Sequence, residues 1–313
     1  LAHLKNNKLK NFSKVFFPHS IGIFYSAITQ LLGFNKYGDE YKVMGLAAYG
    51  KPNFTSELKK VIKLTGDGQF KLDLRYFLHH RHGNTFTIQN GEPVVKKLFS
   101  PLLENLLITQ RQQTEPIKKI HKDIAASLQE VYESIFLSIL NHAWNITGEK
   151  TVCLSGGCAM NSLANGKILT NTNFEKVLIP PSPGDSGGAI GAAINVINKK
   201  LIPFESANNL GLPYFGTACE KSDLDKIVVK TKTLFKSDQV RVKTYDNFDE
   251  TARETAARLA RGMVVGWFQH RSEWGPRALG NRSILADPRN PDIKALLNLK
   301  IKKREGFRPF APS

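Results

Sequence analysis

Thr151-Val152-Cys153-Leu154-Ser155-Gly156-Gly157-Cys158-Ala159-Met160-Asn161 begins as a short apolar strand and breaks at once into a glycine pair. A helix is expected from about Ser162 to Leu169. Strand, glycine turn and helix in that order turn backbone N–H groups towards a phosphate or a sugar. The stretch is not a P-loop, because the Lys-Ser/Thr ending is missing, and it is not a G-x-G-x-x-G turn. The theme then repeats. Lys176-Val177-Leu178-Ile179 reads as a strand, Pro180 to Asp185 as a turn, and Ser186 to Ala193 as a helix of small residues. Two such units in tandem predict an α/β fold with a ligand between them, since open α/β sheets place ligands at strand C-terminal ends. Asp185, at the tip of the second turn, suits either a divalent metal or a helix cap.

Upstream, Ile117, Ile120, Ile124, Leu128, Val131, Ile135 and Ile139 recur every three or four residues, and Gly148 closes the helix they predict. His121 and Asp123 are expected on its surface. Phe24, Ala27, Ile28, Leu31 and Leu32 predict a second helix, capped by Ser20 and stopped by Gly33. Between Gly38 and Pro52, Asp39, Glu40 and Lys42 stand beside small residues. They fit either a pocket wall or a short helix with a surface ion pair. Residues 1–14 read as a frayed polar edge. His79-His80-Arg81-His82 reads as a solvated turn rather than a metal site, since Arg81 is a poor neighbour for a cation. Turn residues between 200 and 222 mark a seam. Beyond it, a helix over Asp249–Arg261 and a strand over Met263–Gln269 predict a second α/β domain.

The length of 313 residues is enough for two cores, and 41% hydrophobic with 23% charged residues is ordinary for a globular protein. No apolar run reaches the length of a membrane helix, and the start is no signal peptide. Cys153, Cys158 and Cys219 form no C-x-x-C pair, and Cys153 is expected to be buried. Three unpaired cysteines suit a reducing cytoplasm. The net charge of +17 permits a nucleic-acid partner, but the lysines are dispersed along helix faces rather than gathered in an arm. The chain opens Leu1-Ala2-His3 without Met and stops at Ser313 behind a Pro-rich motif, so it is expected to be a piece of a longer protein.

The second half carries its own signature. Glu273-Trp274-Gly275-Pro276-Arg277-Ala278-Leu279-Gly280-Asn281-Arg282-Ser283 combines guanidinium forks with a glycine- and proline-shaped turn, a combination suited to phosphate or carboxylate. Arg304-Glu305-Gly306-Phe307-Arg308-Pro309-Phe310-Ala311-Pro312 follows. With Pro18-His19-Ser20-Ile21-Gly22, Glu40 to Ala47, Leu154 to Asn161 and Pro183 to Gly187, these motifs run in order through nearly the whole chain. Together they resemble the NodU/CmcH carbamoyltransferase family.

That resemblance implies part of an actin/hexokinase-like domain over 1–209, akin to the universal tRNA-threonylcarbamoylation protein. A YrdC-like α/β domain over 210–313 would follow. It implies ATP and carbamoyl phosphate reacting to carbamoyl adenylate, then carbamoyl transfer to a hydroxyl of a sugar or natural-product acceptor. By matching position, Arg277, Asn281, Arg282 and Arg308 would serve the adenylate-forming chemistry. Gly156, Gly157, Asn161 and Gly184 would face the nucleotide, and Glu40 and Lys42 would line the acceptor side. Asp185 would be one ligand of a divalent metal, iron or another, whose H-x-x-x-H partners would lie ahead of Leu1. Cys158 and Met160 replace the family's usual Val and Leu. A homodimer is compatible with this reading. Threonylcarbamoyl transfer to tRNA and plain nucleic-acid binding are the alternatives.

Overall fold

The computed structural model describes residues 1–6, 8–82, 86–199, 213–234, 241–276 and 278–311. Arg277 and the expected domain seam at 209/210 lie outside the described residues. The chain divides into two compact units, Leu1–Ile179 and Pro180–Ser313. Both mix helices with small sheets, and the sheets among the described residues are all two-stranded.

In the first unit, hairpin β1 (Ala2–Lys5) and β2 (Lys8–Asn11) precedes α1 (Ile21–Leu31), α2 (Glu40–Ala47) and α3 (Thr55–Val61). Antiparallel pairs β3 (Ile62–Leu64) with β4 (Phe70–Leu72), and β5 (Phe86–Gln89) with β6 (Glu92–Val95), flank the short helix α4 (His79–His82). Next come α5 (Pro101–Leu106) and the long α6 (Lys119–Thr147). Strand β7 (Thr151–Cys153) then runs parallel to β8 (Lys176–Leu178), with α7 (Ser162–Gly166) and α8 (Ile168–Asn171) between them. This strand–helix–strand crossover is the unit expected from the glycine turn.

Helix α6 is the spine of the unit. Its apolar period buries Ile124, Leu128, Val131, Tyr132 and Ile135 against Phe24, Ile28 and Leu31 of α1 and Val43 and Leu46 of α2. Each fully buried side chain of this size contributes roughly 1.5–3 kcal/mol. Gly148 ends α6 in the left-handed conformation at φ 64°, which only glycine adopts without strain. Ser20 caps α1 by accepting from the Ile23 N–H at 3.3 Å.

Three expectations change. The frayed edge expected over residues 1–14 instead carries the paired strands Ala2–Lys5 and Lys8–Asn11, and Leu1 and Phe12 pack onto the cluster of Leu140, Ala143, Ile168 and Phe174. Cys153 is exposed, because β7 has β8 as its single strand partner among the described residues and its outer positions face solvent. His121 and Asp123 are buried rather than on the surface. His121 Nδ1 accepts the Lys118 N–H at 3.0 Å in a capping box at the start of α6. Asp123 accepts from the Lys51 N–H, from Asn53 and from Lys119.

Burial, then the nearby Arg111 and Lys118 charges, hold His121 below its ordinary value of 6.5. His19 is lowered in the same direction by burial, Lys71 and His79. A histidine lowered in the fold contributes stability that is present above the unfolded value and lost as pH falls below it. The melting temperature should therefore drop between about pH 7.5 and about pH 5.5. His121→Gln keeps a capping acceptor and should shrink that drop in a pH series of thermal melts.

The second unit contains α9 (Gly188–Lys199), α10 (Lys221–Leu234), α11 (Phe248–Ala260), the antiparallel pair β9 (Val265–Phe268) and β10 (Arg282–Leu285), and α12 (Ile293–Ala295). α12 leads into a π-helical turn over Leu296–Ile301. Among the described residues, no helix is long and apolar enough to cross a membrane.

Candidate functional site

In the first unit the glycine turn is held from beneath by α6. Gly156 sits at φ 93° where β7 ends, and Gly157 to Met160 make one 3-10 turn. The Tyr132 hydroxyl donates to the Cys158 carbonyl at 3.0 Å. Gln129 grips the far end of the turn. Its Oε1 accepts from Asn161 Nδ2 at 3.0 Å and from the Tyr25 hydroxyl at 2.9 Å. Its Nε2 donates to Asn161 Oδ1 at 3.0 Å and Glu133 Oε1 at 2.9 Å. All four hydrogen-bonding capacities of this buried amide are thus used. Asn161 Oδ1 also accepts the Ala164 N–H, capping α7. Lys167 closes the network on Glu133 Oε2 at 2.5 Å.

The loop's inner face is therefore fixed, while Gly156 and Gly157 stay exposed. Asn161, expected to face a nucleotide, spends its side chain on the loop's own support. The Cys158 thiol is pushed up by burial, against a lowering hydrogen bond with Tyr132, and so is a packing group rather than a nucleophile. Burial, followed by the Glu40 and Glu133 charges, raises the Tyr25 hydroxyl and keeps it a donor. Gln129, Glu133 and Tyr25 carried no role in the sequence reading. Their signal was polar residues in register with the apolar stripe of α6 and α1.

Glu40 and Lys42 lie on α2, near its N-terminus. Glu40 Oε1 accepts the Ser26 hydroxyl at 2.5 Å. Lys42 pairs with the buried Asp39 at 2.9 Å and lies 5.8 Å from the Phe34 ring centroid. Short helix and ion pair are both present, and Glu40 also lines a pocket of about 170 Å³ with Ser26, Gln30, Tyr37 and His79. His79 is 1% exposed, which overturns the solvated turn expected there. It is enclosed by edge contacts with Phe17, Phe77 and His80.

In the second unit the arginine motif forms the loop between β9 and β10. Glu273 organises it: one oxygen, Oε1, accepts the backbone N–H groups of Leu279 (3.0 Å), Asn281 (2.8 Å) and Arg282 (3.2 Å). Burial acts to raise the Glu273 pKa, and these backbone hydrogen bonds outweigh it and hold the carboxylate below its ordinary value. Asn281 is buried, donating to the Arg271 carbonyl at 2.8 Å and accepting from Gln269 at 3.2 Å. Arg282 directs its fork at the carbonyls of Gln269, Asn281 and His270, with its guanidinium 3.5 Å from the Phe268 centroid. Asn281 and Arg282 thus hold the loop in shape. Three backbone N–H groups of this loop are thus taken by the chain's own Glu273, to which the sequence reading gave no role.

Near the C-terminus, fully buried Asn298 donates to the carbonyls of Gly306 (3.2 Å) and Arg308 (3.0 Å) and accepts from Arg304 Nε at 2.7 Å. Arg308 lies 3.8 Å from Glu305. Burial, then the Arg304 and Arg308 charges, lower the Lys302 pKa.

Gly184 leads into the 3-10 turn Asp185–Gly187, ahead of α9, and Asp185 is exposed. Among the described residues, no three His, Cys, Asp or Glu side chains converge as a metal set. A lone carboxylate does not satisfy a divalent ion, so no step is derived through a metal.

Comparison with known proteins agrees with this order of motifs. The family model for the carbamoyltransferase N-terminus matches residues 1–194, and that for the carbamoyltransferase C-terminus matches residues 256–313. An uncharacterised protein of Synechocystis sp. is 38% identical over 99% of this chain and 48% of its own length. Nodulation protein NolO of Bradyrhizobium diazoefficiens is 36% identical over 96% of this chain and 49% of its own. Nodulation protein NolNO of Sinorhizobium fredii is 36% identical over 95% and 39%. The chain spans about half the length, or less, of these curated relatives. With both family models matched in order, the chain belongs to the carbamoyltransferase family.

Proposed function

We propose that the chain is part of an O-carbamoyltransferase that uses carbamoyl phosphate and ATP. The observation that carries this reading is the ordered match of both carbamoyltransferase models to one chain. In the proposed sequence, water attacks the carbonyl carbon of carbamoyl phosphate, the bond to the phosphate oxygen breaks, and phosphate and carbamate result. A carbamate oxygen attacks the α-phosphorus of ATP and pyrophosphate leaves. An acceptor hydroxyl then attacks the carbamoyl carbon and AMP leaves. The first displacement builds charge on phosphoryl oxygens, which fixed guanidinium and backbone N–H donors stabilise.

The actin/hexokinase-like assignment of 1–209 and the YrdC-like assignment of 210–313 belong to this proposal. So does a nucleotide placed against Gly156, Gly157 and Gly184. Arg277 and Arg308 are the proposed phosphate-facing groups, and Glu40 lies on the acceptor side. Asn281 and Arg282 contribute by shaping the loop that carries Arg277. The test is ATP–pyrophosphate exchange in the full-length protein. Exchange that requires carbamoyl phosphate is expected. Its absence, together with tight and salt-steep RNA binding, would replace this reading with an RNA-directed one.

A further inference from the structure

A cleft at the start of α6 takes no part in the chemistry proposed above. We infer that it binds the phosphate group of a small phosphorylated metabolite. Thr109, Arg111, Glu115, Lys118 and His121 line it. Its volume of about 380 Å³ is the share of roughly a dozen waters in the liquid, more than a lone phosphate fills. The ligand's organic part therefore has room beside its phosphate. The cleft is set apart from the glycine turn, since His121 stands about 12 Å along α6 from the Gln129 that grips that turn.

Three donors of different kinds meet here. His121 is 8% exposed, and its Nδ1 accepts the Lys118 N–H, so the neutral ring carries its hydrogen on Nε2. Nε2 has no hydrogen-bond partner among the described residues, and the ring lines the cleft. A nearly buried N–H that meets no protein acceptor calls for one from outside. Arg111 is 5% exposed and is fixed by donating to the carbonyls of Leu32 (2.7 Å), Gln112 (3.0 Å) and Glu115 (2.6 Å), which are themselves uncharged. Lys118 is exposed and has no ion-pair partner among the described residues. Glu115 is the one carboxylate of the lining, and its Oε2 takes the Gln112 N–H at 2.9 Å. At the His121 ring the Arg111 and Lys118 charges each outweigh that of Glu115, so the cleft is electropositive. A fixed guanidinium, an ammonium and a neutral N–H, each on its own residue, match the three terminal oxygens of a phosphate monoester.

This inference does not use the carbamoyl-transfer reading. The experiment is isothermal titration of the full-length protein, without ATP, with glycerol 2-phosphate, glucose 6-phosphate, inorganic phosphate and succinate. At least one ester should bind more tightly than inorganic phosphate, and succinate should not displace it. Lys118→Ala should weaken the ester roughly tenfold. His121→Glu supplies the residue that a capping box prefers at this position, so the fold is kept, but it removes the donor and places a negative charge in the cleft. Ester binding should then be lost while the thermal melt is retained. His121→Gln keeps both a capping acceptor and an N–H donor, and should bind within roughly threefold of wild type. No heat from either ester, or heat indifferent to both Lys118→Ala and His121→Glu, would overturn the inference. So would heat removed by Arg308→Ala and untouched by Lys118→Ala, which would place the anion at the site proposed for the reaction. Inorganic phosphate bound as tightly as the esters would overturn the esterified ligand in favour of free phosphate, and tighter succinate binding would overturn it in favour of a carboxylate.

Discussion

Glu273→Ala is expected to abolish carbamoyl phosphate-dependent ATP–pyrophosphate exchange and to lower the melting temperature of the second unit. The reason is convergence. Three backbone N–H groups, from Leu279, Asn281 and Arg282, share the single oxygen Oε1. Hydrogen bonds to a charged acceptor contribute about 1.5–3 kcal/mol each in favourable settings. Glu273 is half-buried, so solvent screens part of this, and about 2–3 kcal/mol in total is a fair expectation. Without the carboxylate those amides seek other partners, and the loop that carries Arg277 loses its shape. Glu273→Gln retains an acceptor at reduced charge, so activity and stability should both fall in the order wild type, Gln, Ala. Arg277→Ala should also remove exchange, through a lost phosphate-facing charge. Unchanged exchange in Glu273→Ala, measured beside its thermal melt, would show that the loop plays no part in adenylate formation.

The elements that could be read in advance are those fixed by local period. The apolar stripe from Ile124 to Ile135 can be satisfied in one way, as a buried face of α6, and Gly148 is needed where the backbone turns left-handed. Strand, glycine turn and helix from Thr151 to Gly166 likewise follow from local chemistry. What could not be read depends on partners distant in sequence. Cys153 looks buried in a row of apolar residues, but its burial is decided by how many strands flank β7. His79 looks solvated among charged neighbours, yet Phe17 packs against it and Pro18 takes its ring N–H from far upstream in the chain. The arginine motif is the sharpest case. Side-chain type says that Arg282 can bind an oxyanion, and only the fold shows its fork directed at three carbonyls of its own hairpin. Lys42 is similar: its charge was legible, and its neutralisation by Asp39 was one of two readings left open.

Gln129→Leu is expected to destabilise the first unit strongly, because the new side chain fits the volume and fails every hydrogen bond. The Tyr25 hydroxyl, the Asn161 amide and Glu133 would each lose a buried partner. A buried polar group left unsatisfied costs about 1–3 kcal/mol, so the sum is about 3–6 kcal/mol. Several kcal/mol is a large share of a domain's total stability. Glu133 keeps Lys167 as an ion partner, which limits the loss at that end. Asn161 does not keep its hold from α6, so the turn from Gly156 would remain tied to that helix through the Tyr132 hydroxyl on the Cys158 carbonyl. The consequence separates two roles. If the turn carries the nucleotide, Gln129→Leu should weaken ATP binding at temperatures well below its melting point, where the unit is still folded. The double variant Gln129→Leu with Tyr25→Phe removes one orphaned hydroxyl and should recover about 1–2 kcal/mol of stability. It should recover none of the ATP affinity, since Asn161 stays unheld. Isothermal titration with ATP beside thermal melts of both variants makes the comparison. A full return of ATP affinity along with stability would mean that the network serves the core alone.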